Sequence, residues 1–300
     1  MKKLSVIALV FALTGCANSQ ALNSFTISQN EISAVAVADQ SNFSVSRVIV
    51  LANGVAEIML ALNAKSLVIG RDISSTESAL SDVPIVTSGH QVIPEKIISL
   101  KPDLVIIDAS TGPKVALDQI RSAGIKIVET PESWTLADIA PKITAVSQVI
   151  GAEKAGAALI AKLSATSQFT KVTGNPKVAF LYLRGTSSIY LIGGPGSGTD
   201  SMLAAVGATD VGAEKLPRAF NTLTAESLAE LNPDVILVMS KGLESVGGVQ
   251  GLIKLPGVAQ TKAGKNAAII DVDDSLLLSF GPRTYSLVNQ LAKAIDAVNQ

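Results

Sequence analysis

Hydrophobic residues follow two alternating patterns along most of the chain. Short aliphatic runs, such as RVIVLA from Arg47 and PDLVIID from Pro102, have the length and composition of buried strands. Between them, segments such as GVAEIMLALNA from Gly54 carry apolar residues at helical spacing. Because strands that alternate with helices usually pair in parallel, the pattern predicts parallel sheets covered by helices.

One segment of helix and strand occurs twice. EKIISLKPDLVIIDAS from Glu95 aligns with ESLAELNPDVILVMS from Glu226, at a constant offset of 131 positions (226 − 95). Each copy contains a helical segment, a proline that ends it, an aspartate and an aliphatic strand. A connection of this kind is common in α/β proteins and explains one copy, but it explains two closely matching copies less well. The repeat predicts two similar lobes, 44–134 and 171–300.

The segment between the lobes, 135–170, carries apolar residues at helical spacing over many turns. Pro141 lies near its start, and Gly151 and Gly156 are candidate interruptions. We expect one helix that holds the lobes together. The predicted fold class is therefore α/β, with two Rossmann-like lobes joined by one long α-helix.

The N-terminus has the pattern of an export signal. Lysines follow the first methionine, the apolar run LSVIALVFAL is too short to span a bilayer, and LTGC ends the segment at Cys16. LTGC resembles a bacterial lipobox, which implies a signal peptide at 1–15, lipidation of Cys16 and a membrane-anchored flexible tether at 16–43. The alternative is an ordinary cleaved signal in which Cys16 has no role.

Composition excludes several classes of function. Twenty-four basic residues face 25 acidic ones, so the chain lacks the positive field on which nucleic-acid binding depends. Cys16 is the sole cysteine, which excludes disulfides and thiol catalysis in the folded body. With one histidine and no Gly-x-Ser-x-Gly motif, we expect a protein that is not an enzyme.

The export signal, the two lobes and the repeated EKIISLKPDLVI and ESLAELNPDVIL together resemble class III periplasmic binding proteins of ABC importers for haem, cobalamin and ferric siderophores. The resemblance covers the mature body and implies a ligand held between the lobes, at the carboxyl ends of the strands. It also implies that Glu95 and Glu226 dock against the importer's permease. The competing interpretation is two carboxylates favoured by the dipoles at helix N-termini.

Within that family, the segment before the first docking helix supplies an iron ligand in haem binders. Here it is SGH, so the resemblance implies a haem-binding protein of the histidine/tyrosine type with His90 as one axial ligand. FLYLRG supplies Tyr182 as the second, with Arg184 two residues later to favour its phenolate. Tyr190 is the second choice. The competing interpretations are a solvated histidine and a half-buried strand tyrosine.

Three further residues are candidates for the wall of a haem site. Arg71 and Arg283 are the types of residue that bind propionates through paired charge-assisted hydrogen bonds, and Met239 offers a soft apolar surface. The sequence thus predicts an extracytoplasmic, lipid-anchored protein that captures haem and delivers it to an ABC importer. The alternative ligand is a ferric siderophore or cobalamin.

Overall fold

The computed structural model describes residues 23–38, 42–89, 91–183, 185 and 190–300, with Tyr190 described in its backbone alone. In these residues no helix has the length and apolar character needed to cross a membrane. The expected signal peptide, Cys16, His90 and Arg184 lie outside the described residues.

The described chain contains strands β1 (Ser24–Ile27), β2 (Val48–Val50), β3 (Val68–Arg71), β4 (Thr87–Ser88), β5 (Gln91–Val92), β6 (Leu104–Ile107), β7 (Lys126–Glu129), β8 (Lys177–Tyr182), β9 (Tyr190–Gly193), β10 (Thr209–Asp210), β11 (Phe220–Leu223), β12 (Val235–Met239) and β13 (Ile269–Val272). Its helices are α1 (Val55–Ala61), α2 (Pro94–Ser99), α3 (Lys114–Ser122), α4 (Ile139–Ile150), α5 (Glu153–Ser164), α6 (Thr199–Val206), α7 (Val211–Lys215), α8 (Ala225–Leu231), α9 (Ser240–Ser245), α10 (Gly248–Leu252), α11 (Lys262–Asn266), α12 (Asp274–Ser279) and α13 (Thr284–Val298).

The N-terminal lobe is built on a four-stranded parallel sheet in the order β3-β2-β6-β7. Alternate side chains of its central strands point to opposite faces. Val48 and Ile106 join the core around α1 and α4, whereas Ile49 and Val105 pack with residues of α2 and α3. The sheet is therefore covered on both faces, which explains why its strands are continuous aliphatic runs.

The C-terminal lobe has a seven-stranded mixed sheet in the order β1-β13-β12-β8-β9-β11, with β10 also paired to β8. β1, β13, β12 and β8 are parallel, and β9 runs antiparallel to β8 and β11. The expected α/β fold class is confirmed, with one large sheet at the centre of each lobe.

The expectation of a flexible tether as far as residue 43 is wrong for its described part. β1 pairs in parallel with β13, with Phe25 opposite Ile270, and thereby adds an edge strand to the C-terminal sheet. Farther on, Val37 is buried and donates its backbone N–H to the carbonyl of Ala61 at 3.0 Å. This segment is held by pairing at an open sheet edge, by buried apolar residues and by side-chain hydrogen bonds such as that from Thr26 to Asp271.

The segment between the lobes also differs from the expected single helix. α4 ends at Gly151, whose positive φ of 74° caps the helix in the left-handed conformation, and α5 starts two residues later. The two helices pack closely, because a Cβ on Gly156 would lie 2.5 Å from the Cβ of Ser147. The link is therefore a pair of packed helices, and the glycines in the sequence mark the break.

The repeated Pro-Asp has the same structural role in both lobes. Asp103 accepts hydrogen bonds from the backbone N–H groups of Ser46 and Arg47, each at 3.0 Å, just before β2. Asp234 accepts one from Lys177 at 2.9 Å, at the first residue of β8. In each lobe the aspartate thus anchors the start of the strand that pairs with its own.

Candidate functional site

A cavity of about 750 Å³ lies between the lobes. It is lined by residues at or beyond the carboxyl ends of strands from both sheets: Asn53 after β2, Asp72 after β3, Ser110 after β6, Tyr182 of β8, Met239 of β12 and Asp274 after β13. Ligand sites in open α/β sheets occupy this position because the strand ends leave a crevice there. The volume falls within the range of small-molecule pockets.

On the C-terminal side, the cavity wall is mainly aromatic and aliphatic. Tyr182 is half-buried at the last position of β8, and its ring meets Phe220 edge to face, with 5.8 Å between centroids. Leu191 of β9 pairs with Tyr182, and Met239, 5% exposed, ends the neighbouring strand β12. These four residues therefore form an apolar part of the wall that carries one phenol group.

On the N-terminal side, a short hairpin brings Gly89 to the cavity wall. The hairpin consists of β4 and β5, and Gly89 has a positive φ of 56°. Thr87 accepts a hydrogen bond from the backbone N–H of Ile73 at 3.0 Å, and Val92 donates its backbone N–H to Gly112 at 3.0 Å. Both ends of the hairpin are thus fixed to neighbouring loops, although His90 itself is outside the described residues.

Asp108 organises the loops next to this hairpin. Its carboxylate is 2% exposed, and it accepts hydrogen bonds from the Asn53 backbone N–H at 2.9 Å and from the hydroxyls of Ser110 and Thr111 at 2.7 and 3.0 Å. Asn53, Ser110 and Thr111 all line the cavity. A buried carboxylate saturated in this way holds three polar wall residues in place.

The two arginines expected to meet propionates have other partners, and neither lines the cavity. The guanidinium of Arg71 donates to the backbone carbonyls of Leu80, Val83 and Ser75 at 3.0, 3.1 and 2.7 Å. It therefore holds the loop after β3. Arg283 is 7% exposed and lies at the junction of the lobes. The expectation is corrected for both residues.

Arg283 belongs to a buried cluster of charges that spans the junction. Its Nε is 3.2 Å from Oε2 of Glu57 on α1, and its Nη2 is 3.6 Å from Oε1 of Glu77. Its backbone N–H also donates to Glu57. Burial raises the pKa of Glu77 to about 7, and the nearby charge of Glu57 adds to this rise. Burial raises the pKa of Glu57 too, although Arg283 opposes the rise.

Sequence reasoning missed the charged residues of the cavity wall. Asp72 and Glu77 come from the loop after β3, and Lys241 and Asp274 come from the starts of α9 and α12. Burial raises the pKa of Asp72, although hydrogen bonds from Ser74 and Ser75 oppose the rise. The available signal was position alone, since Asp72 directly follows β3 and Asp274 lies two residues beyond the end of β13.

Glu95 and Glu226 occupy matching positions, each the second residue of its helix, α2 and α8. Both side chains are exposed, and neither lines the cavity. Backbone and Thr224 hydrogen bonds lower the pKa of Glu226. The two carboxylates are thus available at the surface of the two lobes and are separate from the ligand cavity.

The family match and a curated relative both identify the chain as similar to substrate-binding proteins. Residues 48–276 match the model of the periplasmic binding protein family. A curated relative, the uncharacterised ABC transporter substrate-binding lipoprotein YvrC of Bacillus subtilis, is 26% identical over 94% of this chain and 92% of its own.

Solved structures extend the likeness to the whole fold. The haem-binding protein HmuT is 32% identical, with a TM-score of 0.79 over 90% of this chain and 97% of its own. The periplasmic haem-binding protein RhuT from Roseiflexus sp. RS-1, in its apo form, is 36% identical, with a TM-score of 0.78 over 86% of this chain and 100% of its own. BhuT, solved in complex with two haems, is 30% identical, with a TM-score of 0.77 over 85% of this chain and 99% of its own. The chain therefore belongs to the periplasmic binding protein family.

Proposed function

We propose that this protein captures haem in the cavity between its lobes and delivers it to an ABC importer. The observation that carries the proposal is the position of Tyr182, a phenol at the carboxyl end of β8 beside the apolar side chains of Leu191, Phe220 and Met239 in the cavity wall. A planar, hydrophobic iron complex requires an apolar surface of this kind together with a ligand for its metal.

Tyr182 ligates ferric iron as a phenolate in this proposal. A bound ferric ion itself favours the charged form of a phenol, and a nearby cation adds to this preference. Arg184, two positions later in the sequence, is the proposed cation. His90 is the proposed ligand from the opposite lobe, since the hairpin that contains it reaches the cavity wall at Gly89.

The relatives support this choice of residue types. HmuT has been solved as variants in which one histidine, one tyrosine and one arginine are each replaced by alanine, and that arginine follows the tyrosine by two positions. The same spacing separates Tyr182 and Arg184. RhuT and BhuT are also haem-binding proteins.

Delivery requires features outside the cavity. We place Glu95 and Glu226 at the contact with the permease, one on each lobe, because both are exposed at the start of a helix. Lipidation of Cys16 would hold the protein on the outer side of the cytoplasmic membrane, as its LTGC sequence and a lipoprotein relative suggest. The role is binding and transfer, and it includes no catalysis.

The test is an absorption titration of the purified protein with ferric haem. We expect the wild type to bind one equivalent or more with a Soret band. Tyr182→Phe should lose most ferric affinity, while Tyr190→Phe serves as the matched control and should leave the spectrum unchanged. His90→Ala should retain a tyrosine-ligated, mostly high-spin haem.

Two results would count against the proposal. If Tyr190→Phe removes the charge-transfer band while Tyr182→Phe does not, the ligand tyrosine has been wrongly assigned. If His90, Tyr182 and Tyr190 can each be replaced without effect on the spectrum, the iron is not bound by this site. A siderophore or corrinoid then becomes the better ligand.

A further inference from the structure

We propose that Lys241 binds a carboxylate of the ligand, and so sets the orientation of a haem in the cavity; this inference rests on the function proposed above. Lys241 lines the cavity wall, where it is the second residue of α9, directly beyond the end of β12. Lys241 is exposed, whereas Met239 and Gly242 on either side of it in the sequence are buried.

The charges of the cavity wall favour this residue. Among the described residues that line the cavity, Asp72, Glu77 and Asp274 are acidic and Lys241 is the one basic residue. A ligand with two carboxylates is repelled by the acidic positions and attracted to the lysine. The two arginines that could have competed, Arg71 and Arg283, lie outside the wall and are engaged elsewhere.

The ammonium group of Lys241 is available for such a contact. No ion pair or hydrogen bond of its Nζ occurs within the described part of the chain. Its backbone N–H, by contrast, donates to Oδ1 of Asp274 at 3.1 Å, so the base of the side chain is held in place. The charge of Lys241 lowers the pKa of Asp274, which burial raises. The lysine thus presents an exposed ammonium group from a backbone position that Asp274 holds.

The position also suits a ligand bound through Tyr182. β12 pairs in parallel with β8, with Val238 opposite Leu181, so Met239 and Tyr182 are neighbours at the strand ends. Lys241 follows Met239 by two residues. A porphyrin whose iron is bound by the tyrosine would lie against Met239 and direct an edge towards the lysine.

The experiment compares ferric haem with its dimethyl ester, in which both carboxylates are blocked. For Lys241→Gln we expect affinity for haem to fall roughly tenfold, the size of one charge-assisted hydrogen bond, while affinity for the ester stays unchanged. Lys241→Arg should restore most of the loss. Lys254→Gln is the matched control, because Lys254 is an exposed lysine of the same lobe that does not line the cavity.

The outcomes separate this inference from the proposed function. If the wild type binds no haem, the function fails and the inference falls with it. If the wild type binds haem but Lys241→Gln weakens neither ligand, or weakens haem and ester equally, the function stands and the carboxylate contact is wrong. A loss confined to the free acid, reduced by added salt, supports the contact.

Discussion

The two lobes share a repeated segment but contribute different surfaces to the cavity. In the N-terminal lobe the sheet is parallel throughout, and its strand ends present polar groups such as Asn53, Asp72 and Ser110. In the C-terminal lobe the antiparallel strands β9 and β11 extend the sheet beyond β8 and bring Leu191 and Phe220 beside Tyr182. The two lobes therefore share a repeated scaffold, but the side chains that each contributes to the cavity wall differ.

The lobes meet at the cluster formed by Glu57, Glu77 and Arg283, and disruption of this cluster should have the largest effect. Arg283→Ala leaves two buried carboxylates without their cation, and removal of one partner of a buried pair costs about 3–5 kcal/mol. Urea unfolding measures the loss. Arg121→Ala, which removes an exposed ion pair with Asp118, is the control and should change the free energy of unfolding by less than about 1 kcal/mol. Equal effects of the two variants would show that the junction does not depend on the cluster.

Glu77 should make the stability of the junction depend on pH. Its pKa in the folded protein is about 7, above the ordinary value of 4.5, so the folded state holds a proton that the unfolded state has lost between these values. The stability contributed by Glu77 is therefore present below pH 4.5 and is lost as pH rises through about 7.

Glu77→Gln removes this titration. Between pH 5 and pH 8, the wild type should therefore lose stability relative to the variant. We expect its free energy of unfolding to fall by up to about 3 kcal/mol more than that of the variant. Asp72 and Glu57, whose pKa values burial also raises, remain in both proteins, and because their charges act on Glu77 the difference reports the coupled cluster as well as Glu77 itself. Parallel stability curves would show that Glu77 titrates as it does in the unfolded chain.

The repeated aspartates test whether the two lobes are equivalent as scaffolds. Asp103→Ala and Asp234→Ala each remove hydrogen bonds to the start of a central strand, and each should cost about 1–2 kcal/mol. Asp118→Ala, at an exposed carboxylate on α3, is the control with a smaller expected change. A large loss at one aspartate alone would mean that the two copies of the repeat have the same structure but contribute differently to stability.

The sequence predicted the features of the fold that depend on local pattern. The offset between Glu95 and Glu226 identified two lobes, and the position of Tyr182 at a strand end followed from the aliphatic run before it. The roles of Arg71 and Arg283 could not be predicted in this way. Glu57 is 226 positions from Arg283, and nothing near FGPRT indicates that the arginine will be buried against it.

The smallest effect on the purified protein is expected at the exposed ends of the two lobes. Glu95→Gln and Glu226→Gln, singly and together, should leave haem affinity unchanged within error, because neither carboxylate lines the cavity. The proposed contact with the permease would appear only in uptake by the assembled importer in liposomes. There the double variant should lose transport, and each single variant should lose part of it, since each lobe supplies one contact. Glu230→Gln, an exposed carboxylate at the opposite end of α8, is the control. If one glutamate accounts for the whole loss, docking depends on one lobe, and the matching positions of the two residues reflect only the shared scaffold.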